Sequence, residues 1–438
     1  MNDALKDTAS HKIKPKEYDL VLGGNNPPPV DGAVLGGIEG VKSRLASDNI
    51  QSQISALSEA FNYGDVGLDL VIDALSNYRR EVRQNADRLL QQRDEKKAKD
   101  AVNNYKFWSD FEYPYDRGKL PTSHSKIFAH RKVEDFNIEK GITDPVNTAY
   151  ALRDRSWRSS SQKREKITKQ FNLLIQNPKI NKLEALVFGY GFWNLDSSNE
   201  LYDIVNTLFD SSEQIPNLKA LFIGDIEDRD MMISSIEQSD ISPILAVYPN
   251  LEILHLRGGQ GLRFNSGYSK KHDKLKVIRI ESGGLPREAI NGLCALDLPA
   301  LEYLELWMGT EEYGGTSTVD DLIPIIKGEA FPNLRHLGLR NAEYTNEIVF
   351  ELVKYPLIKR LIELDLSLGT LDIEGAEALV NCSAVNELDT LNISDNWLGR
   401  RLDLRMPELL QLDCITIFGE QRMGYPGNPH GRYCSVRE

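Results

Sequence analysis

Four acidic residues, Asp225, Glu227, Asp228 and Asp230, fall within six consecutive positions and offer oxygen ligands to a hard cation. A helix–loop–helix calcium site needs a central glycine and a terminal glutamate at fixed offsets. This stretch has neither, so it is read as a solvated acidic loop. Gly36-Gly-Ile-Glu-Gly-Val-Lys-Ser43 sets glycines ahead of Lys42, as phosphate loops do. Val41 stands where glycine must precede that lysine, and no buried strand leads in. The histidines His124, His130, His255, His272, His336 and His430 are scattered, and neither G-x-S-x-G nor H-E-x-x-H occurs. Cys294, Cys382, Cys414 and Cys434 form no C-x-x-C pair, so they are expected as reduced structural thiols rather than zinc ligands or a disulfide framework. These residues give no catalytic constellation, no metal centre and no cofactor site, and the chain is expected not to be an enzyme.

The residues that do share a spacing are His255, Arg257, Arg279, Tyr303, Glu305, Trp307 and Arg340. Arginine and the aromatics are the types that dominate binding hot spots, so these seven are the expected protein-contact residues. Trp307 is expected to point at solvent as an anchor, with Glu311, Glu312 and Tyr313 in the loop after it forming one wall. Arg257 with Glu281 and Arg279 with Glu305 are expected as ion pairs between neighbouring rows.

What must position them is a repeat. The pattern L-x-x-[LI]-x-[LIF] starts at Leu183, Leu218, Leu251, Leu275, Leu301, Leu334, Leu361, Leu388 and Leu412, at intervals of 24 to 35 residues. Alternation places the fourth and sixth positions on one face of a short strand. The remainder of each repeat must bring the chain back. Several returns read as helices, including 240–248, 347–355 and 319–326, the last with Thr318 as N-cap and Asp321 at the capping-box position. Consecutive parallel strands with right-handed helical returns are the expected topology.

This pattern resembles the leucine-rich repeat in its long, ribonuclease-inhibitor-like form, and Asn396 matches the consensus asparagine. Ser282-Gly-Gly-Leu-Pro-Arg-Glu288 and Leu304-Glu-Leu-Trp-Met-Gly-Thr-Glu-Glu-Tyr-Gly-Gly315 are similar to a bacterial leucine-rich-repeat family of uncharacterised proteins. Val82-Arg-Gln-Asn-Ala86-Asp-Arg-Leu89-Leu90 is similar to the second helix of a HEAT-type repeat, and 34–93 reads as four short helices like the small HEAT-like modules of cyanobacterial proteins. The resemblance implies an α/β solenoid, a horseshoe of about nine repeats with a small all-α module in front. The expected organisation is a Pro/Gly-containing segment 1–33, a HEAT-like module 34–95, a connector 96–147, an N-terminal cap 148–182 and the repeat domain 183–438. A short strand at 148–153 and a helix over 163–176 would build the cap.

Both architectures are binding architectures, so the expected function is a scaffold or adaptor holding a protein partner on the concave face of the solenoid. The alternative is an accessory, lyase-like or chaperone-like factor for a pigment protein, implied by the HEAT resemblance alone. The formal charge of −13 is uneven: 1–100 carries −2, 101–180 carries +6 and 181–438 carries −17. An acidic body repels phosphate backbones, which argues against a nucleic-acid partner. The basic 101–180 region is read as a solvated linker. No apolar run approaches the ~20 residues of a membrane span, and the first residues lack a secretory apolar segment, so a cytoplasmic location is expected.

Overall fold

The computed structural model describes residues 37–105, 124–153, 167–189, 200–228, 230–264, 267–399, 406–423 and 431–436. The segment 1–33 and the aromatic run 107–115 lie outside them. Two compact units divide the chain: 1–77 with 81–99, and 78–80 with 100–438.

The smaller unit is helical. It contains α1 (Ile38–Leu45), α2 (Ile50–Ala60), α3 (Gly64–Asp73) and most of α4 (Arg80–Leu90), and α5 (Lys96–Tyr105) begins in it. Asn49 starts α2, its side chain accepting the Ser52 N–H. Val82, Ala86 and Leu90 recur every fourth residue on one face of α4 and are fully buried. Gly64 and Gly67 lie in the first turn of α3.

The larger unit is one open sheet. Its strands are β1 (Ile127–Phe128), β2 (Arg131–Asp135), β3 (Thr148–Leu152), β4 (Ala185–Phe188), β5 (Ala220–Ile223), β6 (Ile253–Arg257), β7 (Val277–Glu281), β8 (Tyr303–Gly309), β9 (His336–Ala342), β10 (Glu363–Asp365), β11 (Thr390–Asn392) and β12 (Ile415–Ile417). All twelve lie side by side in chain order. The β1–β2 pair is antiparallel, and every later neighbour pair is parallel. Each of the nine leucine motifs contains a strand, so the expected ladder is present. The sheet is also longer than the motif: β1 and β2 come from the stretch read as a connector, and β3 is the short strand expected in the cap at 148–153. Their short, mixed residues carry no leucine signature.

One register runs through the ladder, with Leu221, Leu254, Ile278, Leu304, Leu337, Leu364 and Leu391 paired in succession. These residues face a single core shared with α6 (Ile167–Ile175), α7 (Glu200–Asp210), α8 (Ser242–Val247), α9 (Arg287–Cys294), α10 (Val319–Ile326), α11 (Thr345–Leu352) and α12 (Ile373–Val380). Stacking neighbours is what buries a repeat's apolar face. At the start of α10 the Asp321 carboxylate accepts the Thr318 N–H at 2.9 Å, as the capping motif requires.

The last step breaks the register. Leu391 pairs with Thr416, so Ile415 stands beside Thr390 and Ile417 beside Asn392. A one-residue slip turns every side chain to the other face. Ile415 and Ile417, expected in the core, are therefore exposed, and the buried Cys414 with the partly buried Phe418 packs into the core in their place.

Turns after the strands repeat too. Gly258, Asn341, Leu368 and Asp395 sit two residues past their last core position, with φ of 107°, 54°, 67° and 55°. Glycine, asparagine and aspartate suit this left-handed position, whereas leucine is strained there. Asn396 follows as a fully buried tie between repeats. Its Nδ2 donates to the Leu366 and Ile393 carbonyls at 2.9 and 3.1 Å, and its Oδ1 accepts the Leu371 N–H at 2.9 Å. Asn396→Ala should cost about 1–3 kcal/mol by stranding those buried groups. Urea unfolding of the full chain measures it, and a loss within experimental error would remove the asparagine from the framework.

Candidate functional site

The sheet face away from the helices carries the seven residues singled out above. Parallel in-register pairing sets His255 beside Arg279, Arg279 beside Glu305, Arg257 beside Glu281, and Trp307 beside Arg340. Glu281 gathers three partners. Its Oε2 lies 2.6 Å from Arg257 Nε, and its Oε1 lies 2.9 Å from Arg279 Nη2 and 3.1 Å from His255 Nε2. Glu305 gathers four: Arg279 Nε at 3.2 Å, Arg340 Nη1 at 2.9 Å, Tyr303 Oη at 2.5 Å and Trp307 Nε1 at 2.6 Å. Room for the Glu305 side chain comes from Gly338 on the next strand, where a Cβ would sit 3.0 Å from Glu305 Cγ.

The row continues at both ends. Asp225, just after β5, is ion-paired to Arg153 and accepts from Ser125 N and Oγ at 3.1 and 3.0 Å. Arg340 Nε reaches Asp365 at 3.4 Å. Across the strands the charges of Arg153, Asp225, Arg257, Glu281, Arg279, Glu305, Arg340 and Asp365 alternate in sign and balance. Burial pushes the Glu281 carboxyl up, but Arg257 and Arg279 with His255 outweigh it and hold it well below the usual range. Glu305 is lowered in the same way, burial being overcome by Arg279 and Arg340. Burial lowers His255, whose ring stacks on Phe222 with ring centroids 3.7 Å apart. The Tyr303 phenol is raised well up by burial and by the Glu305 charge, so it remains a hydrogen donor.

Exposure is where expectation and structure part. The two expected ion pairs form, but all seven residues have relative exposures of 9% or less, and Trp307 is at 0%. Trp307 is not a solvent-facing anchor. It packs with Ile233, Leu368 and Val436. Val436 is held there through Asn341, whose Oδ1 accepts its N–H at 2.8 Å and whose Nδ2 donates to its carbonyl at 2.6 Å. Phe128 and Ala129, from β1 and the turn after it, lie over the alanine-rich strands β3 to β5 on the same face. The strain at Leu368 has its reason here, since its side chain covers the indole.

Toward the end of the sheet this face opens. Glu363, Asp365, Thr390 and Asn392 are half-buried, and Ile415 and Ile417 follow in the same rows at 61% and 36% exposure. The sequence missed these two because their spacing matches core positions. It also missed Arg153 and Asp225 as members of the charge row, since Asp225 reads as one of an acidic cluster.

No family matches this chain, and no curated protein matches it. Among solved structures, a structural-genomics protein from Bacteroides fragilis is similar over 66% of this chain and 77% of its own length, with 27% identity and a TM-score of 0.56. Its description names no activity, so the likeness supports the open, solenoid-like α/β arrangement. Among the described residues no helix is long and apolar enough to cross a membrane.

Proposed function

We propose that this chain is a non-enzymatic, cytoplasmic protein-interaction scaffold, built from ribonuclease-inhibitor-like leucine-rich repeats with a HEAT-like helical module. The partner docks on the sheet face away from the helices, at its open end over β10 to β12. The observation that carries this is the register slip at β12. A large exposed apolar side chain on a sheet face marks a contact surface, and β12 presents two, Ile415 beside Thr390 and Ile417 beside Asn392. The buried charge row then lies on the same face, next to the binding surface. Chemistry at Cys294 is disfavoured as well: burial raises its thiol to about 12, far from a thiolate nucleophile.

The test is capture of partners from the native host with the full chain and with the double variant Ile415→Asp, Ile417→Asp. Both positions are exposed, so folding stability should move by no more than about 0.5 kcal/mol each. A protein retained stoichiometrically by the wild type should be lost from the variant, with binding weakened by about 2 kcal/mol or more. Retention that is unchanged in the variant, or no retained protein at all, overturns the assignment.

A further inference from the structure

His124, Glu227 and Asp230 take no part in the surface described above. We propose that they form a binding site for a divalent transition-metal ion of the zinc or manganese class. The argument begins with the Asp225 clip. Its carboxylate binds the Ser125 N–H and hydroxyl, which fixes the backbone next to His124. That places His124 Nδ1 3.0 Å from the Asp225 carbonyl oxygen. A carbonyl only accepts, so Nδ1 carries the ring proton, and Nε2 is the ring nitrogen on the side of Glu227. A backbone carbonyl holding the distal N–H is the arrangement that orients metal-binding histidines.

Nε2 lies 3.8 Å from Glu227 Oε1. A turn, with Asp230 N–H donating to the Glu227 carbonyl at 2.9 Å, sets the Asp230 carboxylate on the same side. One ligand atom from each of the three residues lies within 4.8 Å of the others. Metal–ligand bonds of about 2.0–2.2 Å need ligand atoms roughly 3–3.5 Å apart, so the carboxylates must draw in by about 1 Å on binding. Glu227 is buried and gives the site a dry wall, while Asp230 is partly exposed and leaves an approach from solvent. One imidazole with two carboxylates is a donor set for a borderline cation; calcium and magnesium take oxygen ligands alone. The acidic run is therefore divided: Asp225 is structural, and Glu227 and Asp230 with His124 are the ligands.

The full chain, stripped with chelator, is titrated with Zn²⁺ by calorimetry and with Co²⁺ by visible absorption. One equivalent should bind. His124→Ala and Asp230→Asn should each weaken binding beyond the ~10- to 100-fold that loss of an outer-shell partner causes. His130→Ala, an exposed histidine outside the cluster, should bind as the wild type does. Thermal melts of the unloaded proteins check folding, and the partly exposed Asp230 gives a variant that keeps the core intact. Absence of saturable one-equivalent binding, or unchanged affinity in both ligand variants, overturns the site.

Discussion

Trp307→Ala is expected to destabilise the larger unit by about 3–5 kcal/mol, the cost of emptying a large buried aromatic site. The indole is fully buried against Ile233, Leu368 and Val436, and its Nε1 donates to Glu305 at 2.6 Å. Arg340 lies over the ring, 5.0 Å from its centroid, and would lose that contact as well. Trp307→Phe keeps most of the apolar area and should cost less, about 1–3 kcal/mol, chiefly the lost hydrogen bond to a charged group. Denaturant unfolding followed by far-ultraviolet circular dichroism measures both. A loss below about 1 kcal/mol for Trp307→Ala would mean that the indole faces solvent after all.

Replacing Glu281 by Gln should be as severe, about 3–5 kcal/mol, because it leaves Arg257 and Arg279 buried with a neutral partner. The row as a whole is weak evidence for stability, since ion pairs of this kind give back in desolvation much of what they gain. Its clearer effect is on register: a one-residue slip of any middle strand would put these charges into the leucine core. The pH dependence has a definite sign. The folded carboxyls of Asp225, Glu281 and Glu305 lie below the usual range, so their contribution is present above about pH 4.5 and is lost as pH falls through the folded values. His255 and His272 are lowered mainly by burial, so their contribution is complete above about pH 6.5 and is lost as pH falls below it. Wild-type stability should therefore begin to decline below about pH 6.5 and fall more steeply below about pH 4.5. In Glu281→Gln the steep acid limb should be shallower, and melting temperatures across pH 3–8 read the difference. An identical acid limb in the two proteins would show that Glu281 is not held as a buried carboxylate.

Much of this molecule was settled by local sequence. Strand position follows from alternation, because apolar side chains two residues apart must share a face, and the leucine spacing located nine strands. Helical returns followed from capping residues and fourfold spacing, as at Thr318 and Asp321. Neighbouring repeats in register also made the Arg257–Glu281 and Arg279–Glu305 pairs legible, since equal offsets from a leucine bring residues side by side. Tertiary structure alone decided what covers each face. Val436 reaches Trp307 across more than a hundred residues of chain, and no local pattern encodes that contact. The slip at β12 is likewise invisible, because Leu412, Ile415 and Ile417 satisfy the repeat perfectly well as letters, and only the pairing of Thr416 with Leu391 turns Ile415 and Ile417 outward. His124 meets Glu227 and Asp230 only because β1, β3 and β5 belong to one sheet that ties Ser125, Arg153 and Asp225 together. The sequence carries periodicity, which is local and additive; burial and side-chain constellations depend on which distant segment arrives to displace water, and that is decided by the whole fold.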